Sequence, residues 1–201
     1  AMLARAGAEL TDMEFMQFEP CCLGEPAGLR GRGISTTMLN AGARLLNANG
    51  KEFLHKYIPD LKKMQKSDLA RAMFSEMEKQ NGAPLLYDVS MIDPAEMELH
   101  CLWLNELRAA GYDPQNVPLK VCPAAHTFLG GAKVDERCAA SLAGLYAAGE
   151  AMGGLHGANR IGGCAGAEIY VFGALAGQSA AADAIEADVN RAEQLAAALL
   201  E

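Results

Sequence analysis

The stretch that decides the fold is GLYAAGEAMGGLHGANRIGGCAGAE, residues 144–168. Its first part, Leu145 to Ala148, is an apolar run that predicts a buried strand, with Glu150 just beyond its carboxyl end. In open α/β sheets, nucleotide ligands lie at that end. The residues after Gly162 are small and predict a helix, whose first N–H groups can hold an anionic oxygen. The stretch therefore predicts a nucleotide or anion site near residues 150–166.

The surrounding segment, residues 123–177, is much richer in glycine than the usual frequency of about 7%. Glycine weakens both helices and strands, so it accumulates where the backbone must come close to a ligand or to other backbone. We therefore expect such a close approach in this part of the chain.

Composition and charge exclude several classes of protein. The 201 residues include 17 basic and 25 acidic side chains, which gives a formal net charge of −8. Because the basic residues are scattered, we expect no nucleic-acid partner. Hydrophobic residues make up 51% of the chain, which excludes a disordered protein, and no apolar run is long enough to predict a membrane-spanning helix.

The six cysteines show no C-x-x-C spacing of a zinc or redox site, so we expect no metal. Adjacent Cys21 and Cys22 do not suit a relaxed disulfide with each other, because the bridge needs a wider reach. We expect free, mostly buried thiols in a reducing compartment, and the first residues predict no secretory signal. These features predict a cytoplasmic protein.

The segments upstream of the glycine-rich part predict a mixture of helices and strands. Apolar spacing and capping residues predict two helices, at 67–81 and 93–111, and Asn49-Gly50 predicts a tight hairpin turn. A mixture of aromatic and polar residues over strand length predicts a strand at 12–19, ended by Pro20, and two shorter segments predict strands at 85–89 and 119–122.

Four stretches in this order resemble the flavoprotein subunits of succinate dehydrogenase and fumarate reductase, together with L-aspartate oxidase. They are LTDMEFMQFEP at 10–20, LLNANGKEFL at 45–54, PAAHTFLGGAKVD at 123–135, and the stretch at 144–168. The resemblance covers nearly all of this chain but only a middle-to-late part of a full family member. The G-x-G-x-x-G loop that cradles the FAD pyrophosphate is not in this sequence.

The resemblance implies an α+β fold, with a capping domain and the C-terminal part of an α/β FAD-binding domain. It divides the chain into the end of an FAD-domain helix at 1–13, the capping domain at 14–122, a segment that returns to the FAD-binding domain at 123–185, and a C-terminal helix at 186–201.

The resemblance also implies residues that contact FAD. Glu150 matches the family acid that binds the sugar-alcohol chain of the flavin, although a plain turn acid is the alternative. The backbone near Ala165 and Gly166 matches the segment that faces the flavin N1/O2 edge. This sequence has Gly-Cys-Ala-Gly where the family usually has Ser-Asn-Ser-Leu, so a backbone contact can be kept there but a side-chain contact cannot.

Two residues match family residues that bind a substrate carboxylate. His126 lies in Pro-Ala-Ala-His, and Arg160 ends His-Gly-Ala-Asn-Arg, where guanidinium geometry suits a carboxylate. A structural histidine and an ion-paired arginine are the alternatives. We expect His156 of the same motif to be structural.

Two departures from the family pattern affect the chemistry. Glu19 stands where the family has a substrate-binding histidine, and Leu39 stands where it has the arginine that passes a proton to the substrate. No catalytic residue is therefore assigned. Because a carboxylate repels a substrate carboxylate, Glu19 indicates a cationic or neutral substrate end beside it, and a substrate other than fumarate or succinate.

The sequence leaves three interpretations open. The first is a fragment of an FAD-dependent oxidoreductase that transfers hydride between flavin and a small carboxylate-bearing substrate, enzymatic in the parent protein and inactive as an isolated chain. The second is a binding or structural module that no longer holds FAD. The third is a subunit that assembles with a separate FAD-binding half or a redox partner. We also expect the isolated chain to self-associate through exposed apolar surface.

Overall fold

The computed structural model describes residues 2–198, with side chains described for residues 2–184 and for Asn190. The chain forms two compact units. Unit 1 comprises the residues up to Gln17 and those from Thr127 onward, and unit 2 comprises Phe18–His126.

Helices and strands alternate irregularly along residues 2–198, with short 3-10 helices between them. The α-helices in this range are α1 Met2–Ala6, α2 Lys66–Lys79, α3 Pro94–His100, α4 Leu104–Ala109 and α5 Cys164–Ala198. The strands are β1 Leu10–Thr11, β2 Met16–Leu23, β3 Arg44–Leu46, β4 Leu85–Asp88, β5 Leu119–Phe128 and β6 Gly131–Ala132.

Unit 2 is built around a sheet with the strand order β2-β5-β4-β3, in which β4 pairs antiparallel with both β3 and β5. Its core is apolar and includes the fully buried rings of Phe53 and Tyr87. The buried face of α2 presents Leu69, Ala70 and Met73, the three-and-four spacing that predicts a helix in this region.

The helix boundaries in unit 2 differ in part from the predictions. The N-cap of α2 is Gln65, not Ser67 or Asp68, because Gln65 and Asp68 exchange hydrogen bonds as a capping box. Asp93 caps α3 as predicted, with Oδ1 accepting from the Ala95 N–H at 2.8 Å. The prediction of one helix to residue 111 is wrong, since buried Cys101 leaves helical geometry and α4 begins afresh at Leu104.

Three strand predictions also need correction. Strand β2 continues through Pro20 to Leu23, because the residues beyond Pro20 stay paired with neighbouring backbone, as in the hydrogen bond from the Leu23 N–H to the Arg32 carbonyl. The predicted strand at 145–148 is wrong, since only Tyr146 makes an isolated bridge there, to Ala139. Strand β5 extends to Phe128, well beyond the predicted end.

Two further features concern predicted turns and the C-terminal helix. The predicted tight turn is confirmed, with Gly50 at φ 71°. The predicted separate helix at 186–201 is instead the continuation of α5, which begins at Cys164, and residues 199–201 lie outside the described residues.

Some glycines of the segment 123–177 lie in unit 1 where backbone packs directly against backbone. Strand β1 pairs antiparallel with β6, Leu10 with Ala132 and Thr11 with Gly131. A Cβ on Gly130 would lie 2.2 Å from the Asp12 carbonyl oxygen, and one on Gly131 would lie 2.4 Å from the Ala151 carbonyl oxygen. These distances leave no room for a side chain.

No helix among residues 2–198 is long and apolar enough to span a membrane.

Gly131→Ala should destabilise unit 1 by about 1–3 kcal/mol or more, because the methyl group collides with the backbone of Ala151. Thermal and denaturant unfolding of the 201-residue chain measures the effect. Gly173→Ala is the matched control, since its Cβ meets nothing within 4 Å and lies on α5, where alanine favours the helix by up to about 1 kcal/mol. Equal stability of the two variants would contradict the close packing at Gly131.

Unit 2 contains a buried carboxylate held by hydrogen bonds. Glu76 on α2 is only 5% exposed, and it accepts from Asn47 Nδ2 at Oε1 and from the Tyr57 hydroxyl at Oε2, both at 2.8 Å. Lys56 Nζ lies 3.7 Å from Oε1. The hydrogen bond from Asn47, followed by those groups, holds the pKa of Glu76 below its usual value despite the opposing effect of burial.

Glu76→Gln should destabilise the chain by about 1.5–3 kcal/mol near neutral pH, because the amide cannot accept at both positions. Since the folded pKa is lowered, the wild-type contribution is present above the unfolded carboxyl pKa of about 4.3 and is lost as the pH falls through the lower folded value. Denaturant midpoints measured from neutral pH down through the folded pKa of Glu76 should show this pH-dependent loss of stability in the wild type and not in Glu76→Gln. Glu78→Gln, on the exposed side of α2, should change neither the stability at neutral pH nor its dependence on pH.

Candidate functional site

A cleft of about 190 Å³ in unit 1 brings together four of the predicted site residues. They are Glu150, Arg160, Ala165 and Gly166. The other lining residues are Thr127, Phe128, Leu129, Met152, His156, Glu168 and Ile169.

The Glu150 carboxylate lies between this cleft and a second cavity. The residue sits in a 3-10 turn, Gly149–Ala151, and its Oε1 accepts from the Phe128 N–H at 3.1 Å. A larger, mostly apolar cavity of about 760 Å³ also lies within unit 1, and Glu150 and Phe128 are among its lining residues too. Glu150 is exposed, so its second oxygen is open to a ligand hydroxyl in either cavity.

The start of α5 forms one wall of the cleft. Ala165 and Gly166 lie in its first turn, where backbone N–H groups have no partners within the helix. The Gly166 N–H is used by the turn, donating to the Gly163 carbonyl at 3.1 Å, whereas the Ala165 N–H has no acceptor among the described residues. With the positive end of the helix dipole, this wall favours a partial negative charge on a ligand.

Arg160 supplies a cation without a carboxylate partner. Its side chain is half-buried, and the one hydrogen bond that it makes among the described residues runs from Nη1 to the adjacent Ile161 carbonyl at 3.5 Å. No carboxylate among the described side chains of unit 1 pairs with it. The guanidinium is therefore available for bidentate binding of a ligand carboxylate.

Gln17 holds the backbone that carries Arg160, a contact that the sequence interpretation missed. Its Nε2 donates to Asn159 Oδ1 at 3.1 Å and to the Arg160 carbonyl at 2.9 Å. Gln17 is 5% exposed, and its Oε1 has no hydrogen-bond partner among the described residues. Gln17 is one of several polar residues in the predicted strand at 12–19, so no specific signal in the sequence points to this contact.

His156 is fixed by a carboxylate from α5. Its Nε2 lies 2.9 Å from Glu168 Oε2, and the side chains of His156 and Glu168 are 14% and 5% exposed. Both residues line the cleft. Glu168 was also missed, although a lone charge in the small-residue run that opens α5 was a visible signal.

The remaining predicted residues belong to unit 2. Glu19 Oε2 pairs with Lys66 Nζ at 2.5 Å, with side chains 14% and 29% exposed. His126 is the last residue of unit 2 and is exposed on β5, without a hydrogen bond or ion pair among the described residues. Leu39 is half-buried and packs against the apolar core.

The Glu19–Lys66 pair changes what Glu19 implies about the substrate. A buried carboxylate beside a lysine ammonium is neutralised as a pair, so it does not repel a substrate carboxylate as a lone Glu19 would. The inference of a cationic or neutral group beside Glu19 therefore no longer follows from this substitution alone.

Residues 1–165 match the family described as "FAD binding domain". A fumarate reductase (CoM/CoB) subunit of Methanothermobacter marburgensis is 37% identical over 201 residues, which cover 97% of this chain and 36% of that protein. The L-aspartate oxidase of Xylella fastidiosa is 37% identical over 166 residues, which cover 80% of this chain and 31% of that protein. The chain thus spans about a third of the length of these relatives.

The fold is similar to that of a solved structure described as "Quinol-Fumarate Reductase with Menaquinol Molecules". The TM-score is 0.74 at 28% identity, and the match covers 96% of this chain and 38% of that chain. The predicted α+β fold is confirmed by this likeness and by the mixed elements of both units.

Gln17→Ala should loosen the loop that carries Arg160, because it removes both hydrogen bonds that tie the loop to β2. The expected loss of stability is about 1–3 kcal/mol, since the Arg160 carbonyl loses its donor. Limited trypsin digestion, which cuts after Arg160, should proceed faster at this bond in the variant.

Gln178→Ala, at an exposed position on α5, is the matched control and should leave the cleavage rate unchanged. Unchanged cleavage after Arg160 in Gln17→Ala would show that Gln17 does not hold the loop.

Proposed function

The chain belongs to the FAD-binding family that includes the fumarate reductase, succinate dehydrogenase and L-aspartate oxidase flavoproteins, as its motifs predict, and we propose that it forms the substrate-side part of an FAD-dependent oxidoreductase. The proposed reaction transfers hydride between flavin and a carbon of a small carboxylate-bearing substrate. FAD, when bound, supplies the atom that accepts or donates the hydride.

One observation carries the proposal, namely the convergence of Glu150, Arg160 and the first turn of α5 on one cleft. The residues suit a flavin: the Glu150 carboxylate can accept hydrogen bonds from sugar-alcohol hydroxyls, and the unpaired Ala165 N–H suits an edge that gains negative charge on reduction. Residues for the pyrophosphate are not in this sequence, which has no G-x-G-x-x-G.

We assign carboxylate binding to Arg160. A half-buried guanidinium without a carboxylate partner in unit 1 can bind a carboxylate through two parallel hydrogen bonds, and buried Gln17 holds the backbone from which this side chain extends. Orientation of the reacting carbon follows from fixing that carboxylate. His126 is proposed as a second substrate contact, supported by its exposure and its lack of a described partner.

The His156–Glu168 pair is proposed to position the cleft and not to react with the substrate. The carboxylate fixes the imidazole ring through Nε2, and both side chains are largely buried. A buried histidine that is hydrogen-bonded to a carboxylate is held in one orientation, so it stabilises the loop between Met152 and Arg160.

We propose a substrate other than fumarate or succinate. The support is Leu39, whose apolar side chain packs against the core of unit 2 at the position where the family motif places a proton-donating arginine. A leucine can neither donate nor accept a proton, so reduction of fumarate by the family route lacks its acid here. Glu19 is proposed to act together with Lys66 as one neutral, hydrogen-bonding pair.

We propose that unit 2 is the capping domain and that unit 1 belongs to the FAD-binding domain. The division of the chain after Gln17 and after His126 lies within a few residues of the predicted boundaries at 14 and 122, which supports this assignment.

Several partners are also proposed. One relative is named as a subunit of a fumarate reductase, which describes a protein with further subunits and supports a redox partner or a separate FAD-binding half. Self-association is supported by exposed apolar side chains at the start of α5, namely Ile169, Tyr170 and Val171 at 55%, 81% and 60% exposure. The six free thiols support a cytoplasmic location.

The alternative is a binding or structural module that no longer holds FAD. It is favoured by the missing pyrophosphate loop, because the phosphates contribute much of the affinity for a dinucleotide. The two proposals differ in one property, the affinity of the chain for flavin.

Titration of the chain with FAD, followed by the visible flavin band and by flavin fluorescence, tests the proposal. We expect saturable binding, weaker than in an intact dinucleotide site. Glu150→Gln should weaken it about 5- to 30-fold, because the loss of one or two hydrogen bonds to a charged acceptor costs about 1–2 kcal/mol. Glu136→Gln, an exposed acid in a turn of unit 1, should bind FAD as the wild type does.

A chain that leaves the flavin spectrum unchanged at high FAD concentration would favour the structural module. Binding that is equal in the wild type and in Glu150→Gln would remove Glu150 from the site. Rapid reduction of fumarate, with a reduced viologen as electron donor, by a protein containing this segment would contradict the proposal that the substrate is not fumarate or succinate.

A further inference from the structure

Strands β2 and β5 of unit 2 bring two cysteines to neighbouring positions. The strands are hydrogen-bonded neighbours in the sheet. The Gly24 N–H donates to the Lys120 carbonyl at 2.8 Å, and at the other end of the strands the Leu129 N–H donates to the Phe15 carbonyl at 2.9 Å. From the first bond to the second, the residue number falls along β2 and rises along β5, so the pairing is antiparallel.

The register of the two strands follows by counting from the hydrogen bond between Gly24 and Lys120. Two residues back from Gly24 is Cys22, and two residues forward from Lys120 is Cys122. The two cysteines therefore face each other across the strands, with their side chains on the same face of the sheet.

The backbone of Cys22 is directed toward β5. On the other side of β2, the Leu23 N–H donates to the Arg32 carbonyl at 2.8 Å and the Cys21 carbonyl accepts from the Ile34 N–H at 2.7 Å. Because alternate residues of a strand bond to opposite sides, the N–H and C=O of Cys22 face Cys122. Such a pair has Cα atoms about 5.5 Å apart, within the range of about 4.4–6.8 Å found in disulfides.

The two thiols have different surroundings. Cys22 is 3% exposed, and its Sγ lies 3.7 Å from the Glu19 carbonyl oxygen. Burial first, then the Glu19 carboxylate and the Cys122 thiol, raise the pKa of Cys22 to about 11. Cys122 is half-buried and is the more accessible of the two.

We propose that Cys22 and Cys122 form a redox-active dithiol that exchanges with low-molecular-weight disulfides of the glutathione type. The Cys122 thiolate attacks the small disulfide, forms a mixed disulfide and releases one small thiol. Cys22 then gives up its proton to solvent and attacks Cys122 Sγ, which releases the second small thiolate. Two protein thiols are oxidised to one disulfide, and one small disulfide is reduced to two thiols.

The geometry makes the protein disulfide easy to reduce. Residues in hydrogen-bonded antiparallel pairs keep their Cβ atoms near the upper end of about 4.5–5.5 Å, whereas a disulfide needs about 3.5–4.5 Å. Closing the bond therefore draws the two strands together and strains it, and strained disulfides have the more oxidising potentials. The neighbouring Cys21 cannot replace Cys22, because its side chain faces the other side of the sheet and is fully buried in the core.

Incubation of the native 201-residue chain with oxidised glutathione, followed by alkylation, trypsin digestion and mass spectrometry, tests the proposal. The expected product is a cross-link between the peptides 6–30 and 121–133, with the number of free thiols lowered by two. Reduced glutathione in excess should reverse it without unfolding the chain.

Cys122→Ser and Cys22→Ala should each abolish the cross-link, and Cys122→Ser, at the half-buried position, keeps the test valid if the buried substitution impairs folding. Cys164→Ser, at a half-buried thiol of unit 1, is the matched control and should leave the cross-link unchanged. Stable glutathionylation of Cys122 without a cross-link, or a cross-link that persists in Cys22→Ala, would overturn the proposal.

Discussion

Backbone-to-backbone packing at Gly130 and Gly131 is the constraint on which the candidate site depends. These residues follow shortly after β5 and lie against the carbonyls of Asp12 and Ala151, where no side chain fits. This close approach places the turn that holds Glu150 beside the end of β5, so the Glu150 carboxylate reaches the Phe128 N–H. The glycines at 130 and 131 thus allow the chain to pack tightly on itself and so position this turn.

Unit 2 accommodates an ion pair at one of the predicted site positions and an apolar side chain at another. Glu19 and Lys66 neutralise each other at a partly buried site, and Leu39 joins the apolar core. Two partly buried charges are tolerated there because they pair, whereas a carboxylate without a partner at this position would be destabilising. Both changes leave the sheet order intact.

Much of the fold could be predicted from local signals, while contacts distant in sequence could not. Asp93 caps a helix through an atom two residues away, and Gly50 turns a hairpin, so both features are visible in a short window. The error at 145–148 has the opposite cause. An apolar run predicts burial, but whether it becomes a strand depends on a neighbouring strand to pair with. The Gln17 contact joins residues more than a hundred positions apart, and no local pattern encodes it.

The detail that separates a ligand site from a structural module is the set of polar groups left unpaired in unit 1. Gln17 Oε1 is buried without a partner among the described residues, and Arg160 has a guanidinium without a carboxylate partner in unit 1. A buried unsatisfied acceptor costs about 1–3 kcal/mol, and the two hydrogen bonds that Gln17 donates through Nε2 offset that cost. Together with the unpaired Ala165 N–H, these groups converge on the cleft that Glu150 also lines, or on the loop that forms it. A carboxylate or an anionic edge in the cleft would pair with the Arg160 guanidinium and the Ala165 N–H, which is the physical reason to favour a ligand site over a module that binds nothing.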